Sequence, residues 1–178
     1  MVLARLFRPR EETLAGRALY ASAAAQARSP AFYAELGAPD TAEGRFELFT
    51  LHVALLLLRL KGHGARASET SQQLFETFLR SLDDALREMG VGDVVVGKRM
   101  RKLGEAFYGR LRAYEAALAA RPDRAELVAL FARTLFEGRA QGRPGELASY
   151  AAQAADQLDA APLEQLLAGR ASWPQISA

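Results

Sequence analysis

The stretch DDALREMGVGDVVVGKRMRKLGEAFYGRLRAY, from Asp83 to Tyr114, contains two helical patterns on either side of a glycine-containing turn. The first pattern ends in acidic residues, and the second begins with the densest basic cluster in the chain. Anions at a helix end and cations at a helix start oppose the helix macrodipole, at a cost of about 0.3–1 kcal/mol each. This order of charges therefore predicts that the charged side chains meet each other or a partner.

The chain on either side of this stretch continues the helical pattern. It is rich in Ala, Leu, Arg and Glu, poor in β-branched residues, and has apolar residues at spacings of three and four. The segment from Thr41, a candidate N-cap, to Lys61 is apolar on nearly every side, which is typical of a central helix. Val94 to Val96 is the one β-like run, and it is too short to form a sheet without a partner strand.

We therefore predict an all-α fold, a single-domain helical bundle of about six to eight helices. The expected domain covers residues 11–170, after a flexible basic N-terminus at 1–10 and before a loose C-terminal tail at 171–178, in which Trp173 is a candidate anchor. The clearest predicted helices are Glu11–Ala27, a short one through Leu36, Thr41–Lys61, Ser68–Met89 and one that begins after Val96 and ends before Pro122.

Composition excludes several classes of protein. Lys and Arg total 23 against 21 Asp and Glu, a formal net charge of +2, which does not indicate a nucleic-acid-binding protein. The chain has no cysteine, which excludes disulfides, thiolate metal sites and cysteine nucleophiles. The longest apolar stretch, Phe49 to Leu58, is shorter than the roughly 20 residues that span a bilayer. No secretory signal is visible, because Arg8 and Arg10 interrupt the apolar start.

Two motifs resemble catalytic or ligand sites and fail at named residues. Gly92 to Lys98 fits most of a P-loop, but Arg99 replaces the hydroxyl residue that holds magnesium, and the motif follows a helix instead of a strand. Asp83-Asp84 resembles the aspartate-rich magnesium sites of isoprenoid enzymes, but Arg87 stands where the third acid should be and is spaced to pair with Asp83.

The chain has two histidines, which are candidates for metal ligands or catalytic bases. His52 lies in the most apolar helix and is expected to be a packed residue, and His63 lies between glycines at a helix end. Neither has a partner at the spacing of a metal site or a catalytic triad. We therefore expect a protein that is not an enzyme, with no catalytic residue, no metal site and no cofactor.

The basic cluster has two interpretations, which the residues leave open. Either acidic residues across the turn neutralise the cluster, or the cluster contacts a partner or anionic lipid headgroups, where each cation contributes about 1 kcal/mol. The cluster is extended along the next helix by further arginines, and its members are Lys98, Arg99, Arg101 and Lys102, then Arg110 and Arg112.

The opening stretch also carries a family resemblance. DDALREMGVGD (Asp83 to Asp93), KRM (Lys98 to Met100) and AFYGRLRAY (Ala106 to Tyr114) resemble the central signature of the ubiquinol–cytochrome c chaperone family. Upstream, ARSPAFYAELGAPDTAEGRFEL (Ala27 to Leu48) agrees with it. The resemblance covers roughly Phe7 to Ala140.

The resemblance implies a non-enzymatic chaperone that binds newly made cytochrome b and promotes assembly of the cytochrome bc1 (ubiquinol–cytochrome c reductase) complex. The alternative is a peripheral membrane or lipid/isoprenoid-binding helical module. We expect a bacterial cytoplasmic protein, peripheral to the inner membrane, that touches an anionic membrane surface or the ribosome but takes no nucleic acid as a specific ligand. The expected partner-binding residues lie in the signature: Asp83, Asp84, Arg87, Glu88, Gly90, Gly92, Asp93, Lys98, Arg99, Arg101, Lys102, Tyr108 and Arg110.

Overall fold

The computed structural model of the chain describes residues 10–137 and 139–176, and it contains only helices, turns and loops in these ranges. The predicted all-α, single-domain bundle is confirmed. The N-terminus expected to be flexible lies outside the described residues, apart from Arg10. The eight helices are α1 Glu11–Ala27, α2 Pro30–Ala34, α3 Ala42–Leu60, α4 Gly64–Glu88, α5 Asp93–Ala119, α6 Ala125–Thr134, α7 Pro144–Ala160 and α8 Leu163–Leu167.

Helix α3 is the centre of the bundle, as its apolar sequence predicts. It packs against α1, α4, α5 and α7. Its N-terminus is capped by Thr41, whose hydroxyl oxygen accepts a hydrogen bond from the Gly44 backbone nitrogen at 3.1 Å. Leucines that point in several directions around the helix are fully buried, among them Leu48, Leu51, Leu56 and Leu60.

Helices α1 and α4 pack with their backbones unusually close. The contact depends on Gly16, because a Cβ atom there would lie 2.6 Å from the Cβ of Gln73 and 2.7 Å from the backbone nitrogen of Leu74. The buried face of α1 is otherwise formed mainly by alanines, which also let a neighbouring helix approach. Small residues on α1 thus allow α4 to lie against it along its length.

Helix α5 starts earlier than the sequence predicts. The valine run taken as β-like forms its first turn, with Gly92 as N-cap and the backbone nitrogens of Val95 and Val96 bonded to the Gly92 carbonyl oxygen. Val96 is buried against the bundle, and this tertiary contact outweighs the β preference of valine. The helix start is consequently acidic, with Asp93 in its first turn, and this suits the helix dipole. The predicted cations at the helix start therefore lie in later turns.

The start of α4 differs from the prediction, whereas its end agrees with it. The helix begins at Gly64, before the predicted start at Ser68. Gly90 closes its C-terminus with φ of +77°, as the sequence predicts for a residue in the left-handed region.

The C-terminal segment lies along the bundle. Helices α6 and α7 pack against each other, and α8 packs on α1 and α4. Residues 171–176, expected to be loose, rest on the core, and Trp173 anchors them. Its indole nitrogen donates a hydrogen bond to the Ser22 hydroxyl at 3.0 Å, and its ring meets the His52 ring edge-on at 4.9 Å. Residues 177 and 178 lie outside the described ranges.

Candidate partner-binding site

The residues predicted to bind a partner all lie on one helical hairpin. It comprises the last turns of α4, the turn at 89–92 and the first two thirds of α5, as far as Arg110. Most of the predicted residues are exposed, namely Asp84, Arg87, Glu88, Gly90, Gly92, Asp93, Lys98, Arg99, Arg101, Lys102 and Tyr108, whereas Asp83 and Arg110 are partly buried.

Arg87 holds the two sides of this hairpin together. Its Nε donates to the Asp83 carboxylate at 2.6 Å, and its Nη1 pairs with Asp93 at the start of α5. The hydrogen bond that Arg87 donates to Asp83, followed by the one it donates to Asp93, raises the pKa of Arg87. The predicted pairing of Asp83 with Arg87 is confirmed, and it removes the geometry that an aspartate-rich magnesium site requires.

The basic cluster forms no direct ion pair with the acids across the turn in the described residues. Asp83 and Asp93 both pair with Arg87. Within residues 10–137 and 139–176, the ion pairs within 4.0 Å lie elsewhere, so Lys98, Arg99, Arg101 and Lys102 have no acidic partner at that distance. Contact of these cations with lipid headgroups or a partner stays a prediction.

Arg110 differs from the rest of the predicted set, because it joins α5 to α3. Its Nε and Nη2 each donate to the Glu47 carboxylate at 2.9 Å, and the side chains of Arg110 and Glu47 are only 27% and 11% exposed. The hydrogen bonds that Arg110 donates to Glu47 raise the pKa of Arg110. This two-bond geometry orients α5 on the bundle and leaves only the edge of Arg110 for a partner.

Exposed apolar side chains accompany the cations, and of these only Tyr108 is among the partner-binding residues predicted from the sequence. Val94 is 93% exposed, Met89 60%, Tyr108 51% and Val95 47%. Met89, Val94 and Val95 lie near the turn, whereas Tyr108 lies several turns further along α5 and packs against Phe75 and Phe107. Isolated surface apolar residues are common, but several close together are of the kind found at interaction sites. The signal was present in the sequence: once the valines are helical, Val94, Lys98 and Arg101 follow a spacing of four and three and share one face.

A second surface feature is a partly apolar groove at the other end of helices α4 and α5, away from the turn at 89–92. A cavity of about 510 Å³ lies between the C-terminal end of α3, the start of α4 and α5, with Leu57, Leu58 and Leu111 in its lining. A neighbouring cavity of about 230 Å³ lies between α3, α5 and α7. Leu58 and Glu115 line both cavities, and Glu115 forms a salt bridge with Lys61, which lines the larger one. Because four separate helices supply the lining of the two cavities, no local pattern in the sequence predicts this groove.

The remaining titratable group of interest, His52, serves the core. It is fully buried, with Nδ1 2.7 Å from the Leu48 carbonyl oxygen and Nε2 2.8 Å from the Tyr150 hydroxyl. Burial lowers the pKa of His52 to about 4. In the described ranges, no three His, Asp or Glu side chains cluster as metal ligands would. In the same part of the chain, none of the helices combines the length and apolar character that crossing a membrane requires.

Comparisons with known proteins point in one direction. A family model described as "Ubiquinol-cytochrome C chaperone" matches residues 34–173. The crystal structure of the Cbp3 homolog from Brucella abortus matches with a TM-score of 0.85 and 36% identity, over 99% of this chain and 98% of that one.

A curated relative resembles a shorter part of the chain. The protein named ubiquinol-cytochrome-c reductase complex assembly factor 1, from Xenopus laevis, is 25% identical over 84 residues. The match covers 47% of this chain and 42% of the relative, so the chain spans less than half the length of that protein.

Proposed function

Because this chain belongs to the ubiquinol–cytochrome c chaperone family, we propose that it binds newly made cytochrome b and promotes assembly of the cytochrome bc1 complex. The observation that carries the proposal is the family match over residues 34–173, together with a structural likeness along nearly the whole chain. We further propose that the protein is not an enzyme, and that it works on the cytoplasmic side of a bacterial inner membrane, where a membrane-protein client emerges. Contact with the ribosome that makes the client remains part of this proposal.

The groove between α3, α4, α5 and α7 supports a chaperone role. A client with membrane-spanning helices must have its apolar side chains shielded before assembly, and an amphipathic or apolar helix can lie in an apolar groove. Leu57, Leu58 and Leu111 supply apolar contact here. Charged side chains at the edge, Lys61 and Glu115, would hold the polar ends or loops of a client.

Deletion of the gene tests the function in a host that has a bc1 complex. We expect lower cytochrome b levels and lower ubiquinol–cytochrome c oxidoreductase activity, both restored by the wild-type gene. Unchanged cytochrome b and unchanged oxidoreductase activity after deletion would refute the proposal.

A photo-crosslinking amino acid tests whether the client occupies the groove. Placed at Leu111, it should yield a cross-link to newly made cytochrome b in membranes. The matched control carries it at Arg133, an exposed position of α6 outside the groove. Equal cross-linking from both positions, or none from Leu111, would contradict the groove as the client site.

The alternative, a membrane or lipid/isoprenoid-binding module without a protein client, predicts a different result. Such a module would bind vesicles, yet its deletion would leave cytochrome b at its normal level. Its isoprenoid form is further disfavoured, because Asp83 is bonded to Arg87 instead of facing a second carboxylate across a metal site.

A further inference from the structure

The outer face of the α4–α5 hairpin combines exposed apolar side chains with cations that have no acidic partner within 4.0 Å among the described residues. We define the hairpin tip as Met89, Val94 and Val95 with Lys98, Arg101 and Lys102. Along α5, Val94, Lys98, Arg101 and Lys102 recur at helical spacing and so point the same way, away from the bundle. Val96, which points inward, is buried, and this fixes the rotation of the helix.

Two acidic residues of the hairpin are already bonded, because Asp83 and Asp93 both pair with Arg87. Asp84 and Glu88 are exposed on the last turns of α4. On the outer face of the first half of α5, Lys98, Arg101 and Lys102 stand with one acid, Glu105. This face of α5 therefore carries more cations than acids, although the whole chain carries a formal net charge of only +2.

We propose that the hairpin tip docks on an anionic lipid surface, with Met89, Val94 and Val95 entering the headgroup region while the lysines and Arg101 contact lipid phosphates. Charge complementarity carries the choice of partner. An apolar client segment would offer the cations nothing, whereas nucleic acid would leave Val94 without an apolar environment. In an anionic bilayer, phosphate groups lie directly next to an apolar layer, so the cations and the apolar side chains of the tip can both find suitable surroundings. The inference rests on the proposed function only for its setting, the membrane where cytochrome b is made.

A single labelled cysteine tests insertion directly, because the natural chain has no cysteine. Val94→Cys, carrying a polarity-sensitive fluorophore, is mixed with vesicles of phosphatidylcholine and phosphatidylglycerol at low salt. We expect a blue shift and higher intensity. The matched control is Leu14→Cys, since Leu14 is a surface apolar residue at 52% exposure on α1. The label at Leu14 should not respond. No response at Val94, or equal responses at both positions, overturns the proposal.

Charge variants test whether the cations of the hairpin tip contribute to lipid binding. Vesicle flotation of Lys98→Gln with Lys102→Gln should show affinity for the same vesicles reduced about fivefold for each cation removed. Arg133→Gln, an exposed cation on α6, should leave binding unchanged. Binding of the wild-type protein should weaken with salt and fail on phosphatidylcholine alone. Equal binding to neutral vesicles would overturn the charge argument, and a response of the Val94 label to RNA but not to vesicles would assign the tip to nucleic acid instead.

The vesicle experiments can fail or succeed independently of the experiments that test the proposed chaperone function. Flotation and fluorescence use the purified chain without client, so they succeed or fail whatever cytochrome b does. Conversely, if deletion leaves cytochrome b intact while the Val94 label inserts, the lipid inference stands and the chaperone proposal falls.

Discussion

His52 shows how one buried polar residue determines its own protonation state. Its Nδ1–H donates to the Leu48 carbonyl oxygen, so Nε2 is left to accept from the Tyr150 hydroxyl, which itself accepts from the Gln26 amide. A second proton on the ring would have to displace the Tyr150 donor and bury a charge. The sequence correctly placed His52 in the core, but it could not identify Tyr150, which lies 98 residues away in the chain.

This arrangement predicts acid sensitivity. The pKa of His52 is lowered by burial to about 4, below its ordinary value of 6.5. The neutral ring therefore contributes stability that is fully present above about pH 6.5 and is lost as the pH falls towards 4. The free energy of unfolding should drop by up to about 1.4 kcal/mol per pH unit across this interval. Urea unfolding at a series of pH values measures the slope.

A pair of variants assigns that slope to His52. His52→Gln keeps a side chain that can accept from Tyr150 but cannot titrate, and it should flatten the pH dependence. His63→Gln changes the exposed histidine and should leave the slope as it was. If the slope persists in His52→Gln, another group is responsible.

The two arginines of the signature should respond differently to removal. Arg110→Ala strands the nearly buried Glu47 carboxylate, and should lower the free energy of unfolding by about 2 kcal/mol, less than for a fully buried pair because Arg110 keeps some contact with solvent. Arg87→Ala breaks an exposed pair and should change stability far less. Chemical denaturation of both variants makes the comparison, and equal losses would show that Arg110 does not orient α5.

At the level of helices, the sequence predicted those whose ends have local signals. The bounds of α1 and the Thr41 cap of α3 follow from periodicity and capping chemistry alone. The start of α5 could not be predicted in this way, because Val94 to Val96 have a β-like sequence and the burial of Val96 depends on tertiary packing. As a result, the basic cluster lies in later turns of α5 instead of at its start, and Val94 is exposed on the same face as the cations.

The close approach of α1 and α4 makes a prediction about two glycines. Gly16→Ala should lower the free energy of unfolding by about 1–3 kcal/mol, since its Cβ would overlap backbone atoms of α4 that cannot move independently. Gly104→Ala, in the middle of α5 with no atom within 4 Å of the new Cβ, should instead stabilise by roughly 0.5–1 kcal/mol through helix propensity. Thermal unfolding distinguishes the signs, and a stabilising Gly16→Ala would mean that the helices are not in backbone contact.

Across the whole molecule, the family signature describes only part of the candidate site. Its charged residues are contiguous in sequence and lie on one hairpin, whose role in binding a partner stays a prediction. The signature could not show that Arg110 pairs with a residue of α3 while other cations of α5 face outward. All of them are arginines or lysines on the same helix. Nor could it find the groove, whose lining comes from α3, α4, α5 and α7 together. Residues brought together only by tertiary packing leave no pattern along the chain.

The contacts of the C-terminal segment predict that it unfolds together with the rest of the domain. Trp173 is the only tryptophan, and it contacts Ser22 of α1 and His52 of α3, so its fluorescence reports on the bundle core as well as on the tail. If residues 171–176 are integral to the domain, denaturation followed by fluorescence and by far-UV circular dichroism should give one coincident transition. Trp173→Ala should lower the melting temperature by several degrees, at roughly 2–4 °C per kcal/mol for a domain of this size. Gln175→Ala, an exposed neighbour, should not. A fluorescence transition that precedes the loss of helix would instead show that the tail detaches first, as the sequence alone suggested.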